Sequence, residues 1–399
     1  RGLMAGGRRR RRSPAWTAAA RRFGRQVLAL AARGEGQTSP NPMVGALLVR
    51  GGRVVGRGYH TRAGADHAEV VALRQAGRQA RGATLYVNLE PCCHHGRTPP
   101  CTDALIGAEV RRVVAFMRDP DARVNGKGFA ALKSAGIEVR IGLLEEEARR
   151  LNRRFLRHAT SGRPFVTLKA GMSLDGRIAT RSGISKWITS PPARRAGRTL
   201  RREHDAVLVG VRTVLADDPL LTAGRGRGDA NGTRRGAAPA RVVVDARLRT
   251  PPRARLFSGP GDLLIATLPG ASRARRDRLE RAGAVVLEVP GRNGRIDLKA
   301  LCATLGRRGI TSLLVEGGSE VLGTALDQKI GDRVVLFVSS RILGGRKALP
   351  VFGGLGAGRI ESGPRLLEMS VRRLGTDFRI EGRLRFPRAA RRTGRAAGR

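Results

Sequence analysis

Two short stretches, His67-Ala68-Glu69 and Leu89-Glu90-Pro91-Cys92-Cys93-His94-His95-Gly96-Arg97-Thr98-Pro99-Pro100-Cys101, decide how the rest of the chain is read. Together they bring an imidazole, several thiols and a carboxylate into thirty-five residues. Zinc in catalytic sites takes three protein ligands and leaves one coordination position open. His67 and two cysteines would supply the three. Glu69, two positions after the histidine, is then free to carry protons. Cys93, His94 and His95 are competing ligands, so residue types alone leave the set open.

Joined to a downstream Pro-Cys, His-x-Glu is the signature of zinc nucleobase deaminases, in which the Glu is the general acid and base. The simplest form of that signature is Pro-Cys-x-x-Cys, whereas eight residues separate Cys92 from Cys101 here. Another reading makes these cysteines small buried hydrophobes or a disulfide pair. Cysteine usage argues against it. Of four cysteines in 399 residues, three are crowded at 92, 93 and 101 and only Cys302 lies elsewhere, which is no disulfide framework and fits a metal site in a reducing cytoplasm.

The length suggests two domains, each able to bury its own core. No signal-type run and no stretch of eighteen apolar residues argues for secretion or membrane spanning. A net charge of +45 would ordinarily point to nucleic acid. Seventy of the 77 basic residues are arginine, however, a skew that looks as much like codon bias as selection for charge. Aromatic residues, which stack bases, make up only 4%. Some charge also sits at the ends: Arg8 to Arg12 form an unbroken run, and the segment from Gly382 carries seven arginines and no acid. Both ends read as disordered tails.

Working outward, Ala18 to Ala32 has helical periodicity and Ser39-Pro40-Asn41-Pro42 is a turn. Val44 to Val49 and Val54 to Tyr59 form a hairpin across Gly51-Gly52. Asp66 is placed to cap a helix starting at His67. Strands at 84–89, 112–116 and 139–141 alternate with helices at 102–108 and 128–136, giving a three-layer α/β domain. The charged segment from Glu145 to Pro164 reads as a linker helix. A second alternation follows, with strands near 165–170, 206–209, 241–244, 263–266, 285–289, 312–315 and 334–339 and helices near 192–203, 271–282, 299–306 and 319–328. Residues 224–238 form a polar Gly- and Arg-rich insertion. Glu316-Gly317-Gly318-Ser319 ends a strand and opens a helix, where small residues let a phosphate approach backbone N–H groups.

Taken together these motifs resemble the bifunctional deaminase/reductase family of riboflavin biosynthesis. The first half is similar through Asn41-Pro42-Met43-Val44-Gly45, Gly58-Tyr59-His60, His67-Ala68-Glu69 and the run from Glu90 to Cys101. The second is similar through Lys169 to Arg177, Trp187-Ile188-Thr189-Ser190, Leu215 to Thr222 and Glu316-Gly317-Gly318. The resemblance implies a cytidine-deaminase-like three-layer domain at 18–146, a linker at 147–163 and a dihydrofolate-reductase-like α/β domain at 164–385, with basic tails at 1–17 and 386–399.

It further implies Zn2+ on His67, Cys92 and Cys101, Glu69 as proton shuttle, and Asn41, His60 and His94 lining the deaminase pocket. NADPH would lie against Gly171, Trp187, Thr213, Asp217, Ala246 and the loop Gly318 to Thr324, including Ser319. Lys169, Ser185, Arg201, Leu221 and Glu316 would face a ribosyl phosphate substrate, with Arg225 in place of an arginine displaced by Ala223-Gly224. Deamination of a diaminopyrimidinone ribosyl phosphate and reduction of its ribosyl chain to ribityl is the implied function, in a cytoplasmic enzyme that acts on a small molecule and could self-associate. The alternative is a zinc nucleic-acid deaminase of the tRNA or cytidine type with arginine-rich tails, which leaves the second half unused.

Overall fold

A computed structural model describes residues 16–96, 99–223 and 238–387. Its contacts divide the chain into two compact units between Thr160 and Ser161. In the first, α1 (Ala18–Ala32) is capped by Thr17, whose hydroxyl accepts from the Ala20 N–H at 3.1 Å. Trp16 lies under the Arg140 guanidinium, 4.5 Å from its ring centre. Residues 16 and 17, expected in a tail, thus belong to this fold.

The five strands β1 (Gly45–Arg50), β2 (Arg53–Tyr59), β3 (Thr84–Val87), β4 (Arg112–Ala115) and β5 (Glu138–Ile141) are ordered β2-β1-β3-β4-β5. β1 runs antiparallel to both neighbours, and β3, β4 and β5 are parallel. Side chains alternate along β1 as the pleat requires. Leu47 and Val49 join Phe23 and Val27 of α1, while Ala46 and Leu48 join α2 (Ala68–Ala76), α3 (Cys101–Gly107) and α4 (Lys127–Ser134) on the other face. Each fully buried leucine contributes about 1.5–3 kcal/mol.

Close approach of α2 to the sheet depends on glycine. A Cβ at Gly58 would sit 2.1 Å from the Ala68 carbonyl oxygen, and one at Gly56 2.2 Å from that of Ala72. Ala68, Ala72 and Ala76 present the matching small face. This contact seats the first turn of α2, and with it His67 and Glu69, over the edge of the sheet. Asp66 does not cap the helix as expected: His67 is the N-cap residue and makes no side-chain cap bond. Lying one position too early to reach the first amides, Asp66 pairs with Arg74 at 2.8 Å instead. The expected single linker helix is two, α5 (Glu145–Leu151) and α6 (Arg153–Ser161), broken at Asn152.

The second unit is built on a nine-stranded sheet. In chain order its strands are β6 (Phe165–Met172), β7 (Ala206–Gly210), β8 (Ala240–Val244), β9 (Leu263–Thr267), β10 (Val285–Glu288), β11 (Ser312–Glu316), β12 (Arg333–Val338), β13 (Arg365–Leu374) and β14 (Asp377–Arg385), arranged β10-β9-β8-β7-β11-β6-β12-β14-β13. From β10 to β12 all pairs are parallel, and β14 and β13 add antiparallel edges. On one face pack α7 (Pro191–Arg202), α8 (Val211–Asp217) and α9 (Arg273–Arg281), and on the other α10 (Leu298–Arg307) and α11 (Ser319–Asp327).

The β13–β14 hairpin is absent from the sequence reading. Arg365-Leu-Leu-Glu-Met-Ser-Val-Arg-Arg-Leu374 has no clean alternation, because a bulge between Leu367 and Ser370 breaks the register and both faces stay partly exposed. Gly382 to Arg385, which charge alone assigned to the basic tail and the resemblance to the second domain, is the end of β14. The insertion at 224–237, which includes Arg225, and both tails beyond 16 and 387 lie outside the described residues.

Candidate functional sites

In the first unit, His67 at the head of α2, Cys92 after β3 and Cys101 at the head of α3 bring their ligand atoms within 4.8 Å of one another. His67 Nδ1 is 3.1 Å from Cys101 Sγ and 3.4 Å from Cys92 Sγ. Those separations suit a shared metal, since Zn–S of about 2.3 Å and Zn–N of about 2.0–2.1 Å at tetrahedral angles put N and S roughly 3.5 Å apart. The eight residues between the cysteines leave the site and return. Cys101 N–H donates to Cys92 Sγ at 3.4 Å, and Thr102 N–H to the Cys92 carbonyl at 3.1 Å, which seats Cys92 on the first turn of α3.

Cys92 is the acidic thiol. A hydrogen bond from the Cys101 thiol, against the opposing effect of burial and aided by His67, pulls it down to about 4. Cys101 is pushed up by the same bond. Glu69, 4% exposed, is pushed up to about 7, chiefly by burial and then by the negative charge of Cys92. Its carboxyl group is therefore poised to exchange protons near neutrality.

A cavity of about 500 Å³ opens beside this cluster, lined by residues that include Asn41, His60, His67, Glu69, Cys92 and His94. His60 is 2% exposed, and burial holds it below its ordinary pKa. Its Nδ1 faces the Asp66 carbonyl at 3.1 Å and so carries the proton, leaving Nε2 to accept from Asn41 Nδ2 at 3.1 Å. That orientation leaves Asn41 Oδ1 free of this bond as an acceptor. Cys93 sits aside, half-buried, its thiol 3.9 Å from the Arg123 carbonyl.

The same cavity is lined by residues that sequence reading missed. Asp119, Asp121, Arg123 and Val124 line the cavity. Glu90, 3% exposed, anchors them: its carboxylate accepts from the N–H groups of Asp119, Gly126 and Phe129 at 3.0–3.2 Å. Three backbone donors satisfy this buried carboxylate. Asp119 is pushed up to about 6, first by burial. Its nearness to Cys92 had no sequence signal, because 26 residues, with α3 and β4 among them, intervene.

In the second unit, parallel pairing sets Lys169 of β6 beside Glu316 of β11. Glu316 is held by Lys169 Nζ at 3.4 Å and by a two-pronged contact from Arg201 of α7, Nε to Oε1 at 2.7 Å and Nη2 to Oε2 at 2.8 Å. Burial alone would raise the Glu316 carboxyl, yet the charges of Lys169 and Arg201 overcome it and hold the group at about 2. Arg201 spends its remaining Nη1 on the Thr222 carbonyl at 2.9 Å.

Ser185 donates to Asp217 at 3.1 Å, and Lys186 lies 3.5 Å from the same carboxylate. Trp187 is exposed and stacks under Arg194 at 4.4 Å. A Cβ at Gly171 would stand 3.2 Å from Thr189, so this glycine admits the Trp187–Ser190 segment to the end of β6. Gly317 and Gly318, at φ 75° and 83°, turn β11 into α11, and a Cβ at Gly318 would approach Thr213 Oγ1 to 3.3 Å. Bare backbone at a helix start beside a hydroxyl fits a cofactor phosphate.

Other expected positions fall differently. Ser319 is buried, and its carbonyl accepts from Gly353 N–H at 2.9 Å. Thr324 lies within helix α11, where a helix was expected at 319–328, so the stretch named as a cofactor loop is a glycine turn followed by the first turns of that helix. The Leu221 side chain is in the core, so only its backbone, at φ 54°, is offered outward. Ala246 follows β8, its carbonyl accepting from Thr267 Oγ1 at 3.2 Å.

Residues 18–117 match the cytidine and deoxycytidylate deaminase zinc-binding region, and residues 164–380 match the RibD C-terminal domain. The chain is 43% identical to riboflavin biosynthesis protein RibD of Aquifex aeolicus, over 89% of this chain and 95% of the relative. It is 42% identical to the Escherichia coli protein of that name, over 88% and 96%. Among solved structures, Acinetobacter baumannii RibD is similar with a TM-score of 0.83 and 38% identity, covering 92% of this chain and 99% of that one. A diaminohydroxyphosphoribosylaminopyrimidine deaminase/5-amino-6-(5-phosphoribosylamino)uracil reductase of Thermotoga maritima is similar with a TM-score of 0.78 and 34% identity, over 92% and 99%.

Proposed function

This chain belongs to the RibD family, and on that premise we propose that its two units perform successive steps of riboflavin biosynthesis on one small molecule. The first unit, with its domain at 18–146, deaminates a diaminopyrimidinone ribosyl phosphate. The second, with its domain at 164–385, reduces the ribosyl chain of the product to ribityl with NADPH. The observation that carries the first step is the cluster of His67, Cys92 and Cys101 with a buried carboxyl at Glu69, open to one cavity. The same constellation serves nucleic-acid deaminases, but the reductase match over 164–380 favours the small-molecule reading.

His67, Cys92 and Cys101 would hold zinc, which would supply a water acidic enough to act as nucleophile near neutral pH. Glu69 takes the proton of the attacking water on its carboxylate and returns it to the departing amine, which leaves as ammonia. A carboxyl titrating near 7 can do both without a large penalty in either direction. Asn41 Oδ1 accepts from the substrate, and the neutral His60 keeps that amide oriented. His94, whose Nδ1 is buried without a partner among the described residues, offers a further polar contact.

In the reductase, NADPH supplies the hydride. Gly318 and Thr213 receive a cofactor phosphate, with Gly171, Trp187, Asp217, Ala246, Ser319 and Thr324 along its course. Lys169, Ser185 and the Leu221 backbone face the ribosyl phosphate. Arg201 and Glu316 act through Lys169, fixing its ammonium at the end of β6. Arg225 supplies the arginine that holds the substrate phosphate. The enzyme acts in the cytoplasm, without nucleic acid, and self-association is compatible with the family.

The deciding experiment measures ammonia release and NADPH oxidation on the diaminopyrimidinone substrate, with and without a zinc chelator. Chelation is expected to stop the first and to spare the second when deaminated substrate is supplied. Loss of neither, or NADPH oxidation that never depends on substrate, would overturn the assignment.

A further inference from the structure

The wall of the deaminase cavity that carries Asn41 presents a problem of support. Ser39-Pro40-Asn41-Pro42 has two prolines, which lack N–H groups and cannot join a ladder. Met43, just before β1, offers both an N–H and a carbonyl, and both are taken by asparagine side chains. Asn152 Oδ1 accepts from Met43 N–H at 2.8 Å, and Asn152 Nδ2 donates to the Met43 carbonyl at 2.9 Å. Its amide thus pairs with the Met43 peptide as an adjacent strand would. Asn88 donates to the same carbonyl at 2.9 Å and accepts from Gly45 N–H at 2.8 Å, so both lone pairs of that oxygen are used. Asn88 and Asn152 are 0% and 2% exposed.

Asn88 directly follows β3, but Asn152 comes from the break between α5 and α6, the stretch whose composition reads as a tether between domains. Three residues later, Phe155 of α6 lines the same cavity as Asn41, His60 and His94. Its ring also packs against the cluster of Phe23, Leu47 and Leu143. A tether needs neither a buried amide matched to one peptide nor an aromatic side chain in a pocket wall.

We infer that the segment 145–160 completes the deaminase pocket: Phe155 is a wall that touches bound substrate, and Asn152 is a positioning residue that holds the Pro40–Val44 wall in place. This rests on the deaminase reading given above. Its consequence is that substrate affinity for deamination depends on residues outside the zinc-motif half of the domain, while metal binding does not.

The test uses the full-length zinc enzyme with Phe155→Ala, Phe155→Leu and Asn152→Asp, following ammonia release, zinc content, and NADPH oxidation with deaminated substrate. Asn152→Asp keeps an acceptor for Met43 N–H and sets a carboxylate oxygen against the Met43 carbonyl. Phe155→Ala is expected to raise KM for deamination about tenfold or more with kcat within about twofold, Phe155→Leu to recover much of that affinity, and Asn152→Asp to raise KM more than it lowers kcat. Zinc content and NADPH oxidation stay at the unsubstituted level, which separates a pocket effect from misfolding. An unchanged KM in both Phe155→Ala and Asn152→Asp overturns the inference, as does loss of zinc together with kcat. If the unsubstituted enzyme releases no ammonia, the deaminase reading itself falls, a result distinct from either.

Discussion

Each unit holds a buried glutamate beside its candidate site, Glu69 in the first and Glu316 in the second, and these two carboxyls end at opposite extremes. Glu69 sits among a histidine and two thiols, where burial and the Cys92 charge push it up to about 7. Glu316 is as deeply buried, but Lys169 and Arg201 clasp it and hold it at about 2. Burial is common to both, so the sign of the shift is decided by the charge of the partners. A carboxyl near neutrality moves protons, and one fixed as an anion at every working pH holds a cation in position. The same residue type is therefore a reagent in one unit and scaffolding in the other.

Substitution at Glu69 breaks the comparison most sharply. Glu69→Gln should lower ammonia release by roughly 10²–10⁴-fold, the usual contribution of a general acid/base, while NADPH oxidation on deaminated substrate is unchanged. Steady-state assays of the two activities check it, and loss of both would refute two independent sites. Glu316→Gln should act through stability as well as rate. Removing the anion leaves Lys169 and Arg201 buried without it, at a cost of about 3–5 kcal/mol to the second unit, read by chemical denaturation.

Acid should separate the units further. A carboxyl whose folded pKa lies below its unfolded value contributes stability that is present above the unfolded pKa and lost as pH falls through the folded one. For Glu316 the window runs from about 4.5 down to about 2, and the contribution lost is roughly 3 kcal/mol, visible as a falling denaturation midpoint of the second unit. Glu69 works in the other direction, since a raised carboxyl favours the protonated fold and adds no stability as pH rises. The smallest effect belongs to Cys93, which has no place in the ligand cluster. Cys93→Ser should leave zinc content and ammonia release unchanged and shift stability by within about 0.5 kcal/mol.

Most of the first unit was legible because its signals are local. His67-Ala68-Glu69, the paired prolines at 40 and 42 and the hairpin glycines at 51 and 52 each constrain their own neighbourhood, and α1 was bounded at Ala18 and Ala32 in the structure as in the sequence. Parallel strands such as Ser312–Glu316 were legible as continuous apolar runs. The β13–β14 hairpin was not, because a bulge between Leu367 and Ser370 breaks the alternation of β13 and arginines dominate the exposed positions of both strands. Nor was the Glu90 anchor, whose three donors lie 29 to 39 residues away.

From residue types and spacing alone came the kind of chemistry: a His/Cys metal site with a proton carrier, its ligands still open among several candidates, and a glycine turn at the start of a helix. These follow from short-range covalent order, which places Glu69 in the same helical turn as His67 whatever the surroundings. Tertiary packing settled what each group does with its charge. Glu316 reads as one more strand-end acid until parallel register puts Lys169 beside it and α7 delivers Arg201, and Asn152 reads as part of a tether until its amide is found against Met43. Such roles depend on which distant groups share a low-dielectric interior, and chain order carries no record of that distance.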